Sequence, residues 1–265
     1  MTTPTPPTPP TPPIASTLAG KTFWLSGAAS GIGAATARAL GAAGANVLLA
    51  ARDAEQAALV ARDIEAAGGR ALFHRTDVLR EADIAASVDA AVRHFGRLDG
   101  AFNNAGWLCP PAPLHLQDDH VLQMSLDSNV RSVFWAMRHQ IAALLASGGG
   151  AIVNNVSIAG QVGFGGISPY VVSKHALLGL TRTAALEYYG QGIRINSVSP
   201  GVVASRMSAQ GFGDAASREA FTATTPAGRD GQPHEIAAAV LFLLSEAASF
   251  ASGHDLVLDG GYTVA

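Results

Sequence analysis

Short apolar runs alternate with alanine-rich stretches of helical period along most of this chain. Residues 23–26 (FWLS) read as a first strand, and residues 32–42 as the helix that follows it. NVLLA at residues 46–50 is a second strand, succeeded by a helix over residues 53–67. Further strands are expected at residues 70–75, 99–102, 151–156, 193–198 and 255–258. Helical patterns at residues 81–94, 119–146, 169–189 and 233–245 separate them, and residues 207–225 read as a loop-rich lid. Seven short apolar strands alternating with helices predict an α/β fold: a single-domain, Rossmann-like, doubly wound parallel seven-stranded sheet with helices on both faces.

Composition narrows the picture. With 48% apolar residues, 14% charged residues and a net charge of −3, the chain is neither disordered nor a basic nucleic-acid module. Its size allows one core that buries roughly 70–75% of the unfolded surface. The single cysteine, Cys109, can form no internal disulfide, and the scattered histidines have no metal-ligand spacing. No apolar run reaches the ~20 residues of a membrane span, and the N-terminus lacks a secretory signal. A soluble, cytoplasmic protein without nucleic-acid or membrane partners is expected. Half of the 14 prolines fall in the first 13 residues. Those Thr/Pro repeats favour polyproline II and offer no apolar face, so residues 1–15 read as a disordered tail and residues 16–265 as one domain.

The turn after the first strand is glycine-rich. Ser26–Gly33 (SGAASGIG) carries Gly27, Gly31 and Gly33 and opens a helix. Glycines there allow a tight turn and close approach of a ligand, and the helix N-terminus offers unpaired N–H groups to a pyrophosphate. The second strand ends Ala50-Ala51-Arg52-Asp53. An acidic group at that point would hold the adenosine ribose hydroxyls. Ala51 leaves the position without a carboxylate, while Arg52 offers donors to a 2′-phosphate and Asp53 caps the next helix. NADP(H) is therefore favoured over NAD(H).

A second constellation carries chemistry. Ser157 follows the fifth strand, Tyr170 lies thirteen residues further on, and Lys174 stands four residues beyond it in YVVSK. The i,i+4 spacing puts Tyr170 and Lys174 on one helix face. A fixed ammonium beside a phenol is expected to lower the tyrosine pKa toward working pH, making Tyr170 a general acid or base. Ser157 would orient the same oxygen.

Together these residues resemble the classical short-chain dehydrogenase/reductase family, and the resemblance runs from Leu18 to Val264. Ser26–Gly33 matches its glycine motif, TDV with Asp77 and Val78 its adenine contact, and Asn103–Gly106 its NNAG motif, with Asn104, Ala105 and Gly106 lining the cofactor. Asn129, Ser157, Tyr170 and Lys174 match its four catalytic positions. The resemblance implies a relay water held by Asn129 and a nicotinamide ribose held by Tyr170 and Lys174. It extends the cofactor site to Ser30 and Ile32 beside the glycines, and to Pro200, Gly201, Val203 and Ser205 over the nicotinamide. Serine replaces the frequent threonine at 26 and 205, and Asn155 stands where an apolar residue is usual, as a buried amide in need of partners.

By this resemblance, residues 16–265 form an NAD(P)-binding catalytic domain that passes hydride between nicotinamide and a ketone or secondary alcohol, without a metal. Trp107, Leu108 and Cys109 should form one pocket wall and residues 160–167 another. Trp107 and Phe164 suit an apolar or cyclic small-molecule substrate, with Gly211 and Gly213 giving the lid mobility. Cys109 is not expected to act as a nucleophile. A homotetramer paired through residues 118–146, residues 168–189 and the C-terminal segment is also implied. The competing readings are an NAD-dependent dehydrogenase of a cyclic alcohol, sugar or diol, an epimerase or dehydratase on the same fold, and an inactive dinucleotide-binding scaffold.

Overall fold

The computed structural model describes residues 14–212 and 214–265. Most of the expected N-terminal tail lies outside them, while Ile14 and Ala15 fall in a five-residue helix, α1 (Ile14–Leu18). Beyond it the alternation appears as read: β1 (Thr22–Ser26), α2 (Gly31–Ala42), β2 (Asn46–Ala51), α3 (Ala54–Ala66), β3 (Arg70–Arg75), α4 (Glu81–Phe95) and β4 (Gly100–Asn103). Then come α5 (Asp119–Leu126), α6 (Ser132–Ala146), β5 (Gly150–Asn155), α7 (Ser168–Tyr188), β6 (Ile193–Pro200), α8 (Arg206–Phe212), α9 (Ala215–Ala223), α10 (Pro233–Leu244) and β7 (Asp255–Leu258).

All seven strands run parallel in the order β3-β2-β1-β4-β5-β6-β7. The chain leaves β1 toward β2 on one side and returns to β4 on the other. A crevice therefore opens at the C-terminal ends of β1 and β4, where ligands bind in open sheets. Successive side chains of each strand serve opposite faces. Phe23, Leu25, Val47, Leu49 and Val153 pack with Leu40, Ile64, Val240 and Leu243 of α2, α3 and α10. Trp24, Leu48, Ile152 and Ile195 pack with Ile84, Val88, Met137 and Leu177 of α4, α6 and α7. Burial on both faces explains why these strands read as continuous apolar runs rather than alternating ones. The one polar atom of the buried Trp24 ring is satisfied, its Nε1 donating to Ser87 Oγ at 2.8 Å.

Three segments depart from the sequence reading. β4 starts at Gly100, one residue later than read, and the Asp99 carboxylate just before it accepts from Thr22 N (2.9 Å) and Arg97. The single helix expected over residues 119–146 is interrupted by a π-helical turn, Asp127–Arg131, between α5 and α6. Much of the loop-rich stretch is helical: Ser205 and Ser208 exchange side-chain and main-chain bonds at the start of α8, and Asp214 caps α9 by accepting from Ser217 N at 2.7 Å. Among the described residues, no helix is long and apolar enough to cross a membrane.

Candidate active site

The glycine turn joins β1 to α2. Gly27 (φ 62°) and Gly31 (φ 52°) adopt left-handed backbone that other residues rarely take. Gly33 serves close packing instead: a Cβ there would meet the Gly27 carbonyl oxygen at 2.2 Å. The first turn of α2 has no acidic residue, and its leading N–H groups have no helical acceptor. Ser30 precedes it with a hydroxyl that makes no capping bond. This cradle of donors fits a pyrophosphate. Ile32 lies beside it in the same turn. The Ser26 hydroxyl accepts from Asn104 N (2.9 Å) and Ala105 N (3.0 Å), and Asn104 Nδ2 donates to the Ser26 and Gly27 carbonyls. Serine at 26 thus supplies the hydroxyl that ties NNAG to the glycine turn.

Around the rim, Arg52 is exposed at the end of β2, and Asp53 caps α3 through Gln56 N. Asp77 folds its own loop by accepting from Leu79 N at 3.1 Å, with Val78 between them. On the opposite side, Gly201 follows Pro200 at the end of β6 and sits where a Cβ would come within 2.9 Å of Asp259. Val203 forms a bridge with Gly231, and Ser205 lies against Gly31. Arg52, Asp77 and Gly201 thus follow the C-terminal ends of β2, β3 and β6.

The four predicted catalytic positions converge beside it. The π turn carries Asn129, whose buried amide donates to the Trp107 carbonyl (2.9 Å) and to Ser173 Oγ (2.9 Å), while Oδ1 accepts from Trp107 N at 2.7 Å. Both amide protons are engaged, and Oδ1 keeps one lone pair. Ser157 follows β5, accepts from Ala159 N at 3.2 Å and stands beside the Tyr170 phenol. Tyr170 is 8% exposed and Lys174 4% exposed, on adjacent turns of α7. Lys174 Nζ donates to the main-chain carbonyl of Asn155 at 2.9 Å and lies 5.5 Å from the Tyr170 ring centroid.

Burial dominates the electrostatics here. It pushes the phenol of Tyr170 up to about 12, against the downward pull of the Ser157 hydroxyl and with a further small push from Cys109. It lowers the Lys174 ammonium to about 7. The expectation that Lys174 draws the tyrosine down is not met in this structure, where burial sets the net direction. A phenol raised in this way is suited to donate a proton. Burial also raises the Cys109 thiol, so it remains an unreactive wall residue.

Around Tyr170, Cys109 and Ala159 pack Trp107, Leu108, Val121, Phe164, Ile167 and Val171, an apolar wall that joins both expected segments. Gly211 lies within α8, and a Cβ there would meet Leu108 Cδ2 at 2.5 Å, so this glycine seats the helix on the pocket wall rather than acting as a hinge. Gly213 lies outside the described residues.

The sequence reading missed a chain of buried amides beneath the site. Gln140 Nε2 donates to Asn103 Oδ1 (2.8 Å), Asn103 Nδ2 to Asn154 Oδ1 (2.8 Å), and Asn154 Nδ2 to Thr181 Oγ1 (2.9 Å). It links β4 and β5 to α6 and α7. Asn155, expected as a buried amide in need of partners, has one: its Nδ2 donates to Asn104 Oδ1 at 2.9 Å, while its own Oδ1 has none among the described residues. Ser173 was legible in principle, three residues after Tyr170 on the same helix face.

A dinucleotide cradle, a strand-order reversal and a tyrosine–lysine pair beside an apolar pocket define a nicotinamide-dependent oxidoreductase. A family model described as enoyl-(acyl carrier protein) reductase matches residues 27–263. The chain is 45% identical over 242 residues to the A-factor type gamma-butyrolactone 1′-reductase (1S-forming) of Streptomyces virginiae, covering 91% of this chain and 94% of that protein. It is 42% identical over 239 residues to a cyclohexanol dehydrogenase of Acinetobacter sp. strain SE19, covering 90% and 93%. The crystal structure of levodione reductase superposes with a TM-score of 0.91 at 33% identity, covering 93% of this chain and 99% of that one. The chain belongs to the classical short-chain dehydrogenase/reductase family and is an NAD(P)(H)-dependent oxidoreductase of ketone and alcohol substrates.

Proposed function

We propose that the enzyme interconverts a ring-shaped ketone and its secondary alcohol with NADP(H), using Asn129, Ser157, Tyr170 and Lys174. The observation that carries this reading is the position of the protonated Tyr170 phenol, in contact with an apolar wall and beside the Ser157 hydroxyl. The bound nicotinamide supplies or accepts the hydride. In reduction Tyr170 gives its proton to the carbonyl oxygen, and Ser157 donates a hydrogen bond to that same oxygen. Lys174 then returns a proton to the phenolate, and a water that donates to the free lone pair of Asn129 Oδ1 resupplies Lys174. Gly27, Ser30, Gly31, Ile32 and Gly33 hold the pyrophosphate, Asp77 and Val78 the adenine, and Asn104, Ala105 and Gly106 the central portion. Pro200, Gly201, Val203 and Ser205 cover the nicotinamide, whose ribose Tyr170 and Lys174 hold.

Arg52 supports the cofactor preference: it is exposed at the end of β2, with Ala51 rather than a carboxylate before it. The ring substrate is supported by the apolar wall and by the name of the cyclohexanol-oxidising relative. A panel of ketones and alcohols assayed with both cofactors tests the reading. Tyr170→Phe should abolish hydride transfer while sparing cofactor binding, and parental turnover in that variant would sink it. The alternative is an NAD-dependent dehydrogenase of a cyclic alcohol. Unchanged NADP(H) affinity in Arg52→Ala would favour it.

The reading further includes a cytoplasmic homotetramer. Exposed apolar side chains support the assembly: Phe134 and Val172 on α6 and α7, and Phe250 and Val264 near β7. Light scattering behind size exclusion should give four times the chain mass, and a monomer would refute it.

A further inference from the structure

Three aromatic rings from three separate segments meet beside the apolar wall around Tyr170. Phe164 comes from the loop after β5, Phe221 from α9, and Tyr262 from the C-terminal turn. Phe164 and Tyr262 lie 5.8 Å apart with 18° between their planes, and Tyr262 and Phe221 lie 5.1 Å apart at 25°. Phe221 also reaches Phe164 at 6.2 Å and Phe212 of α8 at 5.3 Å. On its other side, Phe164 packs against the cluster of Tyr170, Cys109 and Ala159. One ring therefore touches both the catalytic wall and the stack.

The C-terminal turn is held firmly enough to act as a support. The Asp259 carboxylate accepts from Gly261 N (2.9 Å), Thr263 N (2.8 Å) and Thr263 Oγ1 (2.7 Å). A Cβ on Gly260 would meet Ala227 at 2.7 Å, so the turn is pressed against the segment leaving α9. Asp230 anchors α9 from below, accepting from Thr222 Oγ1 at 2.7 Å and from Arg218. With α8 seated on Leu108 through Gly211, the lid is fixed at several points. The aromatic stack is the contact that couples it to Phe164.

We propose that Phe164 is a specificity-determining residue that selects ring-shaped substrates, and that Tyr262, with Phe221, is the positioning residue that fixes its plane. This rests on the ring-substrate reading above. A rigid aromatic face rewards a ring that lies flat on it and offers an open-chain ketone of similar polarity much less. Among the described residues the Tyr262 hydroxyl makes no hydrogen bond, so its ring face is what the stack uses.

The test compares cyclohexanone with 2-butanone, using the full chain with NADPH and with NADH. Tyr262→Ala should raise the KM for cyclohexanone about 10-fold and that for 2-butanone less than about 2-fold, with kcat and cofactor Kd little changed. Tyr262→Phe should restore the parental ratio. Because Tyr262 acts through Phe164, adding Tyr262→Ala to Phe164→Ala should cause almost no further loss of discrimination. Should Tyr262→Ala fail to fold by circular dichroism, Phe221→Leu, which keeps the bulk and removes the stack, is read in the same way. Equal KM changes for both ketones, failure of Tyr262→Phe to rescue, or full additivity overturns the proposal alone. If the wild type turns over neither cyclohexanone nor cyclohexanol, the ring-substrate reading falls and this inference falls with it.

Discussion

Lys174 is anchored by the main-chain carbonyl of Asn155, and the side chain of that same asparagine reaches across to Asn104. Asn104 in turn donates to the carbonyls of Ser26 and Gly27. A single residue at the end of β5 therefore connects Lys174 to the glycine turn. Asn155→Leu should weaken cofactor binding about 3- to 10-fold, because Asn104 loses a donor that orients it. Stability should fall by no more than about 1 kcal/mol, since the change also removes an unpartnered buried oxygen. Fluorescence titration with NADPH and urea denaturation measure the two effects.

The buried lysine makes stability depend on pH. Its folded pKa of about 7 lies below the ordinary 10.5, so between these values the unfolded chain binds more protons than the folded one. Stability should therefore rise with pH across that window, and the penalty is complete below pH 7. Lys174→Met should be more stable than the wild type at pH 6, by about 1–3 kcal/mol, with the gap closing toward pH 10. Tyr170 works in the opposite sense: held at about 12, it adds stability that is lost as pH rises from 10 to 12. Tyr170→Phe should flatten that alkaline decline. Denaturation curves across pH test both signs.

Gly106 faces the site so closely that a Cβ would sit 3.1 Å from Asn129 Oδ1 and 3.7 Å from Lys174 Nζ. Gly106→Ala should lower kcat about 10- to 100-fold by displacing Asn129, while the melting temperature moves only slightly. Steady-state kinetics with a thermal melt would show it. An unchanged kcat would remove Asn129 from the proton path.

The amide chain under the site is expected to matter for folding. Asn154→Leu would leave Asn103 Nδ2 with Gln140 Oε1 as its one acceptor and Thr181 Oγ1 with its bond to the Leu177 carbonyl alone, at a cost of about 1–3 kcal/mol. Urea denaturation with an unchanged m-value would report that loss. Asn154→Asp in the charged form should be worse still.

Much of the fold was legible because it is local. Parallel strands buried on both faces must be apolar throughout, as FWLS and NVLLA are, and the Tyr170–Lys174 spacing reads directly as one helix face. The cofactor turn was visible too, although its glycines divide their work: Gly27 and Gly31 by backbone angle, Gly33 by contact with Gly27. The π turn at Asn129 left no local trace, since residues 119–146 keep an uninterrupted helical pattern. Clamping of Asn129 by Trp107 accompanies it, and Trp107 lies 22 residues away.

The sequence by itself determined the architecture, the glycine turn and the four candidate catalytic positions, for these depend on periodicity and short spacings. Tertiary structure decided the burial of Tyr170 and Lys174, the partners of Asn154 and Asn155, and the stack of Phe164, Phe221 and Tyr262. Each of these depends on burial or on contacts between distant segments. Desolvation and packing are set by everything that surrounds a group, and the order of residues along one strand or helix does not contain that information.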